Sequence, residues 1–321
     1  MLAAAAQPGG IPASRWCRHV ASGAARAALL ARQLTTAPRA PGQPLTAALC
    51  VIGDEVLNGK TQDVNSHVFA KRCFALGVDV ARIEVVPDQS RDICESVRRL
   101  SQRHQIVFTS GGIGPTHDDI TYGAVASAFG ARLGYHQPTL ARMRRIMEAR
   151  GAAALPDPSG IPDQVACARM ALLPEDAVVA YPCSELWVPV VCVGGNVHVL
   201  PGIPALFSTL TDAYLPGLVA SLTGAPPQAF ARALVGTDLR ESAIAPVLEE
   251  LQRQFGPLGI RLGSYPDWPP PASGGARDCS AAGRPRVVLS AVGRDRAQVS
   301  ACAAALCRLL AGRVLENSKL A

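Results

Sequence analysis

Acidic residues are missing from the first part of the chain: no Asp or Glu precedes Asp54, while Arg15, Arg18, Arg26, Arg32 and Arg39 all fall there. The net charge of +6 is therefore a local excess, and without those five arginines the rest of the chain stands at +1. A nearly neutral body lacks the electrostatic footprint of a nucleic-acid binder. Long apolar runs are also missing. None approaches the ~18 residues that a membrane span requires, so no membrane partner is expected. The ten cysteines include no CxxC pair and no zinc-ligand spacing, which excludes a metal knuckle and argues against a disulfide framework. Most lie inside apolar runs, where a thiol packs as a small hydrophobe. Aromatic residues are few, at 5%. Abundant Ala, Gly and Pro suits an α/β protein with tight strand-to-helix turns, and the length allows one to three domains.

The leader, Met1 to about Pro44 and domain boundary 45, is rich in Ala and Arg, and Arg15 to Leu34 fits a basic amphipathic helix. Its composition is that of a mitochondrial transit peptide, giving the matrix as the expected address; an Ala-rich tail on a cytoplasmic protein is the alternative.

From residue 46 the pattern is regular. Leu45 to Ile52 reads as a buried parallel strand ending at Gly53-Asp54-Glu55. Gln62 to Leu76 has helical spacing with Gly77 as its stop, Val78 to Val86 is a second strand, and a helix capped by Ser90 presents Ile93, Val97 and Leu100. Gln105 to Ser110 is a third strand, and Asp118 or Asp119 opens a helix running through Phe129. This alternation means a mostly parallel sheet with right-handed crossovers. Leu186 to Val193 and Val197 to Leu200 flank Gly194-Gly195-Asn196 as a hairpin, and Ala205 to Leu215 is a helix. Residues 46–221 thus form a three-layer α/β domain. Residues 222–321 form a smaller α+β domain, with a Pro/Gly/Ser-rich insert near 269–284 expected to be mobile.

Open parallel sheets bind ligands beyond the carboxyl ends of their strands. Two polar loops fall there, Gly53 to Asp63 and Ser110 to Asp119. Gly111, Gly112 and Gly114 let backbone amides approach an oxyanion, a helix N-terminus adds its dipole, and Ser110 and Thr116 add hydroxyl donors. Lys60 fits a phosphate partner or a solvated surface lysine. Asp63 and Asn65 fit helix caps, and Asp63 equally a ligand contact. His117 could donate a hydrogen bond. Asp118 and Asp119 would repel a bare phosphate. Either a divalent cation bridges them to it, with Glu55 as a further ligand, or one of them binds a ligand hydroxyl or amide. Plain capping accounts for at most one of the pair.

The segments Gly53 to Ser66, Gly111 to Asp119 with Thr121, and Leu200-Pro201-Gly202-Ile203-Pro204 together resemble the molybdopterin-binding-like domain of CinA-type proteins and of the N-terminal half of eukaryotic FAD synthase. Leu262-Gly263-Ser264-Tyr265-Pro266-Asp267-Trp268 resembles the FAD-synthase branch. The resemblance spans roughly residues 46–320 and implies pyrophosphate chemistry on a flavin or other dinucleotide. In the FAD-synthase branch this is hydrolysis of FAD to FMN and AMP with a divalent metal ion, Asp118 and Asp119 being the expected catalytic pair and, with Glu55, the metal ligands. In CinA-type relatives it is ADP-ribose cleavage. The Thr-His-Asp-Asp form of the loop points away from molybdopterin adenylation. A non-catalytic flavin-nucleotide or molybdopterin module is the alternative from another class. Nothing in these 321 residues resembles the PAPS-reductase-like adenylyltransferase half of FAD synthase or the CinA deamidase, so FMN adenylation is not expected of this chain. Assembly into a homo-oligomer is common in this fold and is expected here.

Overall fold

Side-chain alternation along the first strand, β1 (Thr46–Ile52), sets up the layers of the N-terminal unit. Ala47, Leu49 and Val51 enter one core; Ala48, Cys50 and Ile52 enter the other. A strand buried on both faces needs helices on both sides. The computed structural model describes residues 45–152, 155–266 and 285–315. The leader with its targeting role, the insert near 269–284, and Asp267 and Trp268 of the FAD-synthase-like motif lie outside the described residues.

On the first face pack α2 (Asn65–Ala75), through Phe69 and Cys73, and α7 (Pro204–Thr223), through Phe207, Leu210, Tyr214, Leu215, Leu218 and Val219. On the second pack α3 (Ser90–Arg103), through Ile93, Val97 and Leu100, and α4 (Thr121–Ala128), through Tyr122, Ala124, Val125 and Ala128. The sheet order is β2-β1-β3-β8-β7-β6. β2 (Asp79–Val86), β1, β3 (Ile106–Ser110) and β8 (Val197–Leu200) run parallel; β7 (Val190–Val193) and β6 (Val178–Ala180) are antiparallel additions. The hairpin turns at Gly194 and Gly195 as the sequence predicted. A short helix, α1 (Asp54–Leu57), follows β1, and a small lobe falls between α4 and β6 along the chain. The lobe comprises β4 (Leu133–Tyr135), α5 (Gln137–Ala149), α6 (Pro162–Arg169) and β5 (Leu172–Pro174), with its own cluster of Leu140, Met143, Cys167, Ala168 and Ala171.

Three expectations about helix ends change. Ser90 is the first residue of α3, but no side chain caps that helix. Neither Asp118 nor Asp119 caps α4, whose N-cap is Ile120 and also lacks a side-chain bond. The helix expected to stop at Leu215 runs on through Pro216 to Thr223. This helix is long and apolar enough to cross a membrane, but much of its surface forms part of the first core.

The chain divides after Pro227. The C-terminal unit has a four-stranded antiparallel sheet, β10-β11-β9-β12, built from β9 (Ala231–Thr237), β10 (Arg261–Pro266), β11 (Val287–Gly293) and β12 (Arg313–Leu315). α8 (Glu241–Phe255) and α9 (Arg296–Leu309) contribute Ile244, Leu251, Phe255, Val299, Cys302 and Leu306 to its core with Val235, Leu289 and Ala291. Asp295 caps α9, accepting from the amides of Ala297 at 2.8 Å and Gln298 at 3.2 Å. The α+β class is as expected.

The described cysteines are free. Burial raises the thiol pKa of Cys50 to about 12 and that of Cys302 to about 11, in keeping with core residues.

Candidate functional site

Four strands end at one edge of the sheet. Register pairs Ile52 with Val86, Val51 with Ser110, and Ser110 with Leu200. The segments that follow β2, β1, β3 and β8 therefore emerge side by side. They carry Asp88, the Gly53–Asp63 loop, the Gly-rich loop and Pro201–Pro204.

The Gly-rich loop is fixed from behind. Gly111 has φ +115, and a Cβ there would stand 2.1 Å from the Ile52 carbonyl oxygen, so only glycine fits. Its amide donates to Leu200 O at 3.3 Å and is not available to a ligand. Thr121, fully buried, donates its hydroxyl to Gly111 O at 2.9 Å and its amide to Gly112 O at 2.9 Å. The sequence reading did not give Thr121 this structural task. Beyond these anchors, the amides of Gly112, Ile113 and Gly114 donate to no acceptor among the described residues. Three successive unpaired amides at a partly exposed turn are of the kind that can receive an anion.

The second half of the loop closes on itself. Asp119 Oδ2 accepts from the Thr116 amide at 2.8 Å and from the Thr116 hydroxyl. Gly114 lies against this carboxylate; a Cβ there would meet Oδ2 at 2.6 Å. The Thr116 hydroxyl and Asp119 carboxylate expected to face a ligand are thus committed to each other. Asp118 instead stands open, its side chain 59% exposed. Its Oδ1 lies 3.9 Å from His117 Nδ1, on a side chain that is itself almost fully exposed. Neither carboxylate caps α4: Asp119 is bonded to Thr116, and Asp118 stands open to solvent.

The first loop supplies further carboxylates. Asp54 and Glu55 are exposed on α1. The Glu55 carboxylate folds back over Gly53, where a Cβ would lie 2.6 Å from it. Lys60 is exposed, its amide turned onto Asn58 Oδ1 at 3.0 Å. Asp63 accepts from the amide of Ser66 at 3.0 Å and from its hydroxyl, so it braces the start of α2.

Sequence reasoning missed Asp88. Its Oδ2 accepts from the Asp54 amide at 2.9 Å, tying the end of β2 to α1. Burial raises its pKa, and the charges of Asp54, Glu55 and Asp118 raise it further against that hydrogen bond. Asp88 thus feels carboxylates from two other loops. The signal was present: Pro87-Asp88 directly follows a parallel strand, at the edge where the other loops were sought. Among the described residues no three His, Cys, Asp or Glu side chains form a ready-made metal cage, so Asp118, Asp119 and Glu55 do not converge as one.

Residues 48–220 match the family model described as a probable molybdopterin binding domain, and residues 229–319 match that described as FAD synthase, middle domain. A probable FAD synthase of Caenorhabditis elegans is 32% identical over 249 residues, 74% of this chain and 46% of that protein. A CinA-like protein of Anaeromyxobacter is 31% identical over 231 residues, 70% of this chain and 53% of that one. The chain spans about half the length of these curated relatives. The crystal structure of the protein CinA, of unknown function, from Thermoplasma acidophilum is 28% identical, covering 53% of this chain and 95% of that one with a TM-score of 0.45. The family match begins in β1, ends within α7 and contains all four loops at the carboxyl edge: the chain belongs to the molybdopterin-binding domain family.

Proposed function

We propose that this chain binds the pyrophosphate of a dinucleotide at Gly112–Gly114 and hydrolyses it with a divalent metal ion, FAD being the favoured substrate and FMN and AMP the products. The observation that carries this reading is the placement of three unpaired amides in a loop that also presents Asp118, whose charge reaches Asp88. The amides take the phosphate oxygens, and the fixed rear of the loop spares them any rearrangement on binding. The similarity to FAD synthases over both matched regions supports a flavin dinucleotide.

One or two of Asp118, Glu55 and Asp88 would hold the metal, since no three carboxylates among the described residues converge on one point. They are hard oxygen donors from three loops, and Asp88 ionises against the charge of its neighbours, a cost that a cation relieves. Magnesium-like ions commonly use one or two carboxylates and complete their shell with substrate phosphate, so a full protein cage is not required. When bound, such an ion polarises a phosphoryl oxygen and lowers the pKa of water. Asp119 acts indirectly, keeping Thr116 and the loop in place.

The test is incubation of the purified chain with FAD and each of several divalent ions, followed by chromatography. FMN and AMP in equal amounts are expected, only with metal. Intact FAD and intact ADP-ribose under every metal would refute the enzyme reading. One observation favours a second reading, a flavin-nucleotide binding module without turnover: Asp119 is already committed to Thr116. Saturable FAD binding without product would select it.

A further inference from the structure

Asn65 was expected to cap α2, but it is the first residue of that helix, and the side chain that accepts from the helix's first turn is Asp63. Its side chain reaches across the carboxyl edge of the sheet instead. Nδ2 donates to Ser110 Oγ at 2.8 Å and to the Gly202 carbonyl at 2.8 Å. These bonds join the start of α2, the first residue before the Gly-rich loop, and the Pro201–Pro204 turn. A carbonyl accepts only, so the Gly202 bond fixes which end of the amide is nitrogen. Gly202 also abuts the loop directly: a Cβ there would stand 3.1 Å from Gly111 Cα.

The other end of the amide is anomalous. Asn65 is only 6% exposed and its Oδ1 is buried with no hydrogen-bond partner. A buried, unpaired amide oxygen carries a desolvation cost that an aliphatic side chain of the same shape would not. Stability alone gives a poor reason for an amide here, whereas the two contacts made by Nδ2 both bear on the loop that presents the free amides.

We infer that Asn65 is a positioning residue: it registers the Gly-rich loop against the Pro201–Pro204 turn and holds the Gly112–Gly114 amides in the arrangement that receives an anionic ligand. This rests on the proposed phosphate role of that loop. Leucine at 65 keeps the shape and removes both donors. Aspartate also removes both donors and adds a negative charge beneath the anion site.

The experiment compares the full chain with Asn65→Leu and Asn65→Asp in three ways: thermal melting, amide hydrogen exchange without ligand, and calorimetric binding of FAD and of inorganic pyrophosphate. Asn65→Leu should melt within a few degrees of wild type. Its exchange should rise in both 110–121 and 200–204, and the Kd for either probe by about tenfold or more. Asn65→Asp should raise Kd at least as far. A folded Asn65→Leu chain with exchange and Kd both unchanged would overturn the inference. If Asn65→Leu fails to fold, Ser110→Ala, which cuts one tether and leaves the Gly202 bond, should raise exchange in 110–121 alone; no change there overturns it equally. If wild type binds neither probe, the phosphate reading fails while hydrogen exchange still decides whether Asn65 holds the loops.

Discussion

The rear and the front of the candidate site are built on opposite principles. Behind the Gly-rich loop, Ser110, Thr121 and Asn65 are buried, and Phe108 and His198 pair across β3 and β8 just below. In front, Asp54, Glu55, Lys60 and Asp118 are exposed and carry the charge. Packing fixes the rear, so substitutions there should act first on stability, except at Asn65, whose bonds to Ser110 and Gly202 set the position of the loop. The front contributes little packing, so substitutions there should act on chemistry at nearly constant stability.

Acid should give the largest effect, through the rear. His198 is fully buried, donor or acceptor to Tyr214 at 3.1 Å through Nδ1, and burial lowers its pKa from 6.5 to about 3. The folded chain therefore resists protonation that the unfolded chain accepts. Above pH 6.5 the two states match; stability then falls by about 1.4 kcal/mol per pH unit until the folded pKa is reached, roughly 4–5 kcal/mol in all. His104 and His136, whose pKa values burial also lowers, add slope of the same sign. Denaturant unfolding from pH 7 to pH 5 should give a shallower dependence in His198→Gln than in wild type. Identical slopes would mean that His198 does not sense this core.

Gly111→Ala comes next. A methyl group facing a backbone oxygen at 2.1 Å, on a residue with φ +115, cannot be accommodated by a side-chain shift. A loss of about 3 kcal/mol or more is expected by chemical denaturation. A loss under 1 kcal/mol would mean that the loop is not pinned to β1.

Much of the rear was legible in the sequence. Apolar runs ending in glycine and acidic residues located β1 and β3, and the Gly-Gly-Ile-Gly string located the loop. Contacts over long separations were not legible. Asn65 meets Gly202 137 positions away, and its local context, Asp-Val-Asn-Ser, reads equally well as a cap. At the front, Asp118 and Asp119 are chemically identical neighbours; only the backbone path decides which one turns back to Thr116. Asp88 escaped because a Pro-Asp pair after a strand also suits an ordinary turn.

The smaller effects separate these two aspartates. Asp119→Ala removes both bonds to Thr116 and should cost about 1–2 kcal/mol, while Asp119→Asn, which keeps an acceptor oxygen, should cost less. Asp118→Asn should leave the melting temperature within error yet reduce FAD hydrolysis by tenfold or more, on the order of the loss expected for a stripped metal ligand. Full hydrolysis in Asp118→Asn, with loss confined to Asp119→Asn, would make Asp119 the chemical residue instead.

The central claim, that ligand phosphate is received by the unpaired amides of the fixed loop, is tested most directly by following those amides. In a 15N-labelled chain titrated with FAD, the signals of Gly112, Ile113 and Gly114 should shift saturably and together, while Gly111, whose amide is bound to Leu200, shifts less and Gly130 and Gly224 stay still. FAD bound or hydrolysed with the Gly112, Ile113 and Gly114 signals unmoved would contradict it.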